Sequence, residues 1–289
     1  MMPLVSSTHL LQAARANGYG IGAFNVHTLE MLQAVIDAAE ETNSPVILQS
    51  TVGTVKHLGA DYIAAMATTA ANRSRVPVAL HLDHCTDFDI IVQCIRAGYS
   101  SVMIDASHET FEENVRQTLK VTEIALAAGV NVEAELGKVG GVEDEIVVAE
   151  NEALMADPDD CAKFIELTRV PTLAPAIGTA HGIYKGEPQI DFDRIQRIAA
   201  LVSVPLVLHG GSGIPEDKVK RAISLGMAKM NIATEIRIVF SDAIKAVFAQ
   251  NPDENDPRKY MIPAKKAVKE AAIIKMIMLG SVGKANDAR

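Results

Sequence analysis

Short runs of β-branched and other apolar residues recur along this chain, and each is followed by a stretch with apolar residues at helical spacing. This alternation limits the fold more than any other feature, because repeated βα units bury their strands in a parallel sheet flanked by helices. The strand candidates lie at 20–26, 45–50, 76–84, 101–105, 130–136, 172–178, 205–209 and 229–234. Helical patterns fill stretches between them, among them 29–41, 111–128 and 158–168. Eight units in 289 residues predict an α/β fold, a (β/α)8 TIM barrel, with residues 1–289 forming one domain. A doubly wound open sheet is the alternative. It calls for a glycine-rich turn after the first strand, and the sequence there, AFNVHTLE, has none.

Beyond the eighth strand, 236–249 reads as the last barrel helix. The turn NPDENDP then leads into an additional C-terminal helix over 256–279, placed to cap the barrel or meet a neighbouring subunit. The chain after Gly280 is expected to fray. Two connections, 138–157 and 179–188, are long, and long βα loops of a barrel carry its mobile catalytic parts.

Composition narrows the function. A net charge of -9 argues against a nucleic-acid partner, which requires a basic patch. A small anionic substrate remains compatible, since backbone donors bind phosphate in an acidic protein. No stretch approaches the roughly 20 apolar residues of a membrane span. Cys85, Cys94 and Cys161 form no CxxC pair, and the N-terminus lacks a secretory pattern, so a cytoplasmic location with reduced thiols is expected.

The strand ends are polar where a buried strand would end in apolar or turn residues. Asn25, Ser50, the run His81–Leu82–Asp83–His84, Asp105, Glu133 and Glu135, His181, His209 and Asn231 all fall on the same predicted rim, which marks it as an active site. Of the eight histidines, His9, His27, His57 and His108 fall near helix starts or in loops and read as surface residues. His84, His181 and His209 follow strands three, six and seven. Three neutral imidazoles with an open position suit a catalytic zinc, and simple strand capping is the competing reading. Asp83, beside His84, reads as a general base or as a partner orienting an imidazole. Asp105 and Glu135 read as holders of a second cation, as support for a histidine, or as ordinary ion-pair members. HGGSG at 209–213 and NIAT at 231–234 each follow a strand and open a helix, the usual position of a barrel phosphate site. Lys185 in HGIYKG is placed to cover the anion or to lie solvated.

Taken together, AFNVHTLE, HLDH, SVMIDASH followed by FEEN, VEAELGKVGG, AIGTAHGIY, PLVLHGGSG and KMNIATE resemble, in order from residue 5 to residue 280, the class II fructose/tagatose-bisphosphate aldolases. The resemblance implies a zinc-dependent (β/α)8 barrel that cleaves a ketose 1,6-bisphosphate into dihydroxyacetone phosphate and glyceraldehyde 3-phosphate. It makes His84, His181 and His209 the zinc ligands and Asp83 the acid/base at the C4 hydroxyl. Gly182, Gly210, Gly211, Ser212, Asn231, Ile232, Ala233 and Thr234 match the dihydroxyacetone-phosphate contacts, with Asn25, Ser50 and Lys185 assigned to the same substrate site. Asp105 and Glu135 match positions that support the metal or hold an alternative cation, and Glu143 matches a mobile glutamate that moves the proton at the dihydroxyacetone carbon. It further implies a monovalent cation, sodium or potassium, near the phosphate, a homodimer or homotetramer, and, in some members, an activating related barrel subunit. Ala233 within NIAT resembles the tagatose branch, where fructose-type members often carry an acidic or amide residue. Pro175 in LAPAIG stands where an apolar residue is more usual and removes a ladder donor, so a local distortion is expected there.

Two other readings remain open at this level. A Schiff-base aldolase needs a buried lysine, and Lys229 is the nearest candidate, expected at the wrong end of strand eight. A non-catalytic partner subunit is the other, although the ligand set and Asp83 are all present.

Overall fold

A computed structural model describes residues 3–143, 146–149, 153–184 and 186–287, with backbone only for 142, 143 and 146–148. Its strands, in chain order, are β1 (Ile21–Asn25), β2 (Val46–Thr51), β3 (Val78–Cys85), β4 (Ser101–Ile104), β5 (Asn131–Leu136), β6 (Gly140–Glu143), β7 (Ile146–Val148), β8 (Thr172–Pro175), β9 (Ala180–His181), β10 (Leu206–Leu208) and β11 (Met227–Ile232). Eight of them close into a parallel barrel in the order β1-β11-β10-β8-β5-β4-β3-β2, the (β/α)8 architecture that the alternation predicts. The eighth strand begins at Met227, two residues before the expected start at 229.

Helix starts follow the local chemistry. Thr28, Asp87, Thr110, Asp157 and Asp191 each accept a backbone N–H of the first turn that follows. The helices pack their apolar faces on the outside of the barrel. That layer is continuous from Phe24 and Leu48 through Leu80, Val102, Val132, Leu173 and Leu208 to Ile232. A separate, smaller cluster fills the bottom of the barrel, where Leu10, Leu11 and Ala14 of the helix Ser7–Asn17 meet Ile21, Ala23, Ile47, Ala79 and Ala228. This N-terminal helix, absent from the sequence expectation, plugs the end opposite the polar rim.

Three other features differ from the pattern-based reading. Two helices, Val52–Leu58 and Ala60–Arg73, separate β2 from β3. The connection after β5, expected as a loop, forms an antiparallel β6–β7 hairpin, and β6 pairs in parallel with β9 through Gly140↔Ala180 and Gly141↔His181. The tail after Gly280 does not fray over its described residues. Gly283 and Ala285 donate backbone hydrogen bonds to Thr42 and Asn43, and Ser281 and Ala285 are buried.

Pro175 distorts the ladder as expected. On the β5 side β8 holds four registered pairs, Glu133↔Thr172 to Leu136↔Pro175. On the β10 side a single pair is registered among the described residues, Leu206↔Leu173. Leu173 donates to Pro205 on that side, so the next donor of the alternation is the N–H that Pro175 lacks. The C-terminal helix Pro257–Met278 packs alongside the helices Leu29–Thr42 and Thr234–Gln250. Deleting residues 281–289 removes buried contacts and three backbone hydrogen bonds, from Ser281 to Met276, Gly283 to Thr42 and Ala285 to Asn43. A drop of several degrees in Tm, on the order of 3 °C or more for a chain this size, is the expected result, and an unchanged thermal melt would show that the tail contributes nothing.

Candidate active site

Strand alternation sends every second side chain into the barrel, and above the apolar plug these side chains are polar. Gln49 and Asn25 lead the set. The Gln49 amide donates to Asn25 Oδ1 at 2.5 Å and to Asp83 Oδ2 at 3.0 Å, while Asn231 donates to Asp83 Oδ1 at 3.0 Å. Asp83 is thereby buried with a donor on each oxygen, which holds the carboxylate in one orientation.

His84 follows directly, and regular alternation would send it to the other face. It does not go there. The β3–β4 register shifts between Leu82 and Cys85, and His84 adopts φ 44, in the left-handed region. One extra residue in the strand, turned through this conformation, brings two consecutive side chains to the same site. His84 Nδ1 then meets Asp105 Oδ2 at 2.8 Å, and Ser107 donates its N–H and hydroxyl to the other Asp105 oxygen. Burial opposes ionisation of Asp105, but these partners hold it below the usual carboxylate range.

The three candidate ligands converge. Ring centroids lie 4.8 Å apart for His84–His181, 4.5 Å for His84–His209 and 5.9 Å for His181–His209. Their donor nitrogens all fall within 4.8 Å of one another. A tetrahedral zinc with Zn–N of about 2.0–2.1 Å needs nitrogens roughly 3.4 Å apart, so a closure of about 1 Å fits the set to the ion. His181 is supplied by β9, and its place depends on Gly141 of β6. At φ 102, a Cβ on Gly141 would meet the His181 carbonyl oxygen at 2.2 Å, so a glycine lets the hairpin backbone pack against the histidine. His84, Asp105 and Glu135 form a second group able to hold a cation, as do His81, Asp83 and Glu133.

Beneath the histidines lies a network of buried charges. His209 Nδ1 meets Glu135 Oε2 at 3.0 Å, and Nε2 meets Glu133 Oε1 at 2.9 Å. Burial and His84 lower its affinity for a proton, but the two carboxylates outweigh them and raise its pKa to about 9. Lys229 Nζ reaches both Glu133 oxygens, at 3.1 and 2.8 Å. Burial opposes the Glu133 charge, and Lys229, His81 and His209 hold the group well below the usual carboxylate range. His81, with Nδ1 at 2.7 Å from the Ser101 hydroxyl, is held well below its ordinary value by burial and by Lys229.

The phosphate candidates also assemble. Gly182 follows His181, Gly210–Ser212 follow β10, and Ala233 and Thr234 join β11 to the helix Thr234–Gln250. Gly211 donates its N–H to the Asn231 carbonyl at 3.2 Å, so the two loops touch, and Ile232 contributes backbone while its side chain lies in the outer core. Ser50 is not brought in. Its hydroxyl pairs with Tyr99 at 2.8 Å in the core, because alternation along β2 gives the inward place to Gln49. Lys185 lies outside the described residues, as does the side chain of Glu143, whose backbone ends β6.

Comparison with known proteins agrees with this geometry. The family described as fructose-bisphosphate aldolase class-II matches residues 5–284. The chain is 45% identical to a fructose-bisphosphate aldolase of Thermus caldophilus over 98% of its length and 100% of the relative's. It is 48% identical to a probable fructose-bisphosphate aldolase of Bacillus subtilis strain 168, with the same coverage. The chain belongs to the class II fructose-bisphosphate aldolase family. The crystal structure of the YdjI aldolase from Escherichia coli K12 is similar, with TM-score 0.87 and 40% identity over 98% of this chain and 100% of that one. The class II aldolases are zinc-dependent lyases, and aldol cleavage of a ketose bisphosphate is the reaction of the family. Among the described residues, no helix is long and apolar enough to cross a membrane.

Gln49 and the pairing of Lys229 with Glu133 escape a reading based on strand ends. Counting back two positions from Asn231 places Lys229 on the inward face of β11. Lys229 is the third residue of β11, mid-strand rather than at its start, and its amine is occupied by Glu133. This class II aldolase should therefore lose about 3–5 kcal/mol of stability on Lys229→Met, which strands a buried carboxylate. Denaturant unfolding of the metal-free protein measures it, and a loss below about 1 kcal/mol would show that His209 alone balances Glu133.

Proposed function

We propose that His84, His181 and His209 are the zinc ligands of this aldolase and that Asp83 is its acid/base residue. In this reading the chain cleaves a ketose 1,6-bisphosphate, tagatose-1,6-bisphosphate preferred, into dihydroxyacetone phosphate and glyceraldehyde 3-phosphate. The observation that carries it is the convergence of three imidazole nitrogens within 4.8 Å beside a buried, doubly hydrogen-bonded carboxylate. With Nδ1 of His84 held by Asp105, its Nε2 is the donor offered to a metal. With Nε2 of His209 held by Glu133, Nδ1 is the donor there, at the expense of Glu135.

Zinc bound by these nitrogens supplies a Lewis acid for the negative charge that collects on the substrate oxygens as the C3–C4 bond breaks. Asp83 takes the C4 hydroxyl proton while Gln49 and Asn231 keep its carboxylate aimed. Gly182, Gly210, Gly211, Ser212 and the segment 231–234 hold the phosphate far from the reacting bond, so that its binding energy fixes orientation. Glu143 is assigned the proton transfer at the dihydroxyacetone carbon. The exposed Ile262, Ile274 and Ile277 of the C-terminal helix support a homo-oligomer.

The preference for tagatose rests on Ala233, which leaves the NIAT motif without an acidic or amide group. The names of the two curated relatives favour the fructose epimer instead. Rates of zinc-loaded protein on both bisphosphates decide between them, and an equal or faster rate on fructose-1,6-bisphosphate removes the preference.

Chelation should abolish cleavage and zinc should restore it, whereas borohydride with substrate should trap nothing; activity that survives complete removal of metal would sink the zinc assignment. Asp83→Ala should lower kcat by about 10²–10⁴ with zinc content unchanged by mass spectrometry.

A further inference from the structure

The loop that follows β10 is fastened at both ends by groups the reaction does not consume. At one end the Tyr184 hydroxyl donates to the Gly210 carbonyl at 2.9 Å while accepting from the Ala180 N–H at 2.9 Å. At the other end the Gly213 N–H donates to Glu235 Oε1 at 2.8 Å. Glu235 stands in the first turn of the helix Thr234–Gln250, and its own N–H points back to the Ser212 hydroxyl at 3.5 Å. Its second oxygen, Oε2, lies 2.5 Å from Nζ of Lys275. Lys275 is buried and comes from the C-terminal helix Pro257–Met278, outside the eight βα units.

A carboxylate is an awkward fastener here. It suits the positive end of a helix, but its charge lies next to a loop that is to receive a doubly charged phosphate. Like charges at this range oppose binding, more strongly where water is excluded. Lys275 is in ion-pair contact with the Glu235 oxygen that the loop does not use.

We propose that Lys275 is a positioning residue for phosphate binding, cancelling the charge of Glu235 so that Glu235 can hold the glycine loop without repelling the anion. The inference rests on the reading of Gly210–Ser212 as a phosphate contact. It makes the C-terminal helix a supplier of charge compensation to the active site.

The relay gives a sign pattern that a plain ion pair does not. Lys275→Met leaves the carboxylate uncompensated and should raise both KM for the ketose bisphosphate and Ki for inorganic phosphate roughly tenfold, with kcat changed less than about threefold. Glu235→Gln keeps an acceptor for Gly213 and removes the charge, so both constants should stay unchanged or fall. The double variant should return to within about threefold of the starting protein, and Lys275→Arg should retain affinity. A pair that merely fastens the helix to the barrel would weaken both single variants alike with no recovery in the double, and that result overturns the proposal. Should Lys275→Met fail to fold, the direction of change in Glu235→Gln and in the double variant decides alone. Gly211→Ala, whose Cβ would meet Met230 Cγ at 2.5 Å and the Asn231 carbonyl at 2.6 Å, separates the two levels. If it leaves the phosphate Ki unchanged, the loop is not the phosphate site and both readings fall. If it weakens phosphate while Lys275→Met does not, the relay alone falls.

Discussion

Glu133 occupies a closed barrel interior, where Lys229 reaches both of its oxygens and His209 shares one of them. A charge cannot be held there without partners of opposite sign on neighbouring strands. Everything around the histidine cluster answers to that demand. Lys229 on β11 balances Glu133 on β5, and Glu133 fixes the ring of His209 after β10. His209 in turn stands against His84 and His181. The apolar plug of the N-terminal helix closes the layer below, so the network is bounded on one side by Ile21, Ala23, Ile47, Ala79 and Ala228. The site is thus the upper surface of a charge cluster, and the orientation of the His84 and His209 rings is inherited from buried carboxylates.

The second constraint is geometric. A strand delivers alternate residues to one face, yet HLDH must bring both Asp83 and His84 to one cavity. The structure resolves the conflict with a register shift and a left-handed backbone at His84. Strain of this kind, about 1–3 kcal/mol, persists where surrounding contacts over-determine it. The Asp105 contact and the neighbouring imidazoles supply that determination.

Much of this is legible in the sequence, and the reasons are physical. Strands and helices have different hydrophobic periods, so eight βα units can be counted without coordinates. Polar residues at strand ends are conspicuous against apolar runs, which is why His84, His181, His209 and Asp83 stand out. What escapes is decided by one-residue differences or by distant partners. Ser50 and Gln49 are adjacent, and the face each takes depends on a register that composition does not reveal. Lys275 and Glu235 lie 40 positions apart on helices whose mutual packing no local pattern encodes. The β6–β7 hairpin and the docked tail belong to the same class, since glycine-rich and terminal segments carry little periodic signal.

The proline in β8 has a mechanical meaning. It leaves the boundary between β8 and β10 with a single registered pair, the thinnest stitching among the described neighbours of the barrel. His181 follows β8 and His209 follows β10, one on each bank of that gap. In the proposed site, an ion held by both imidazoles would span that seam and tie its two banks together.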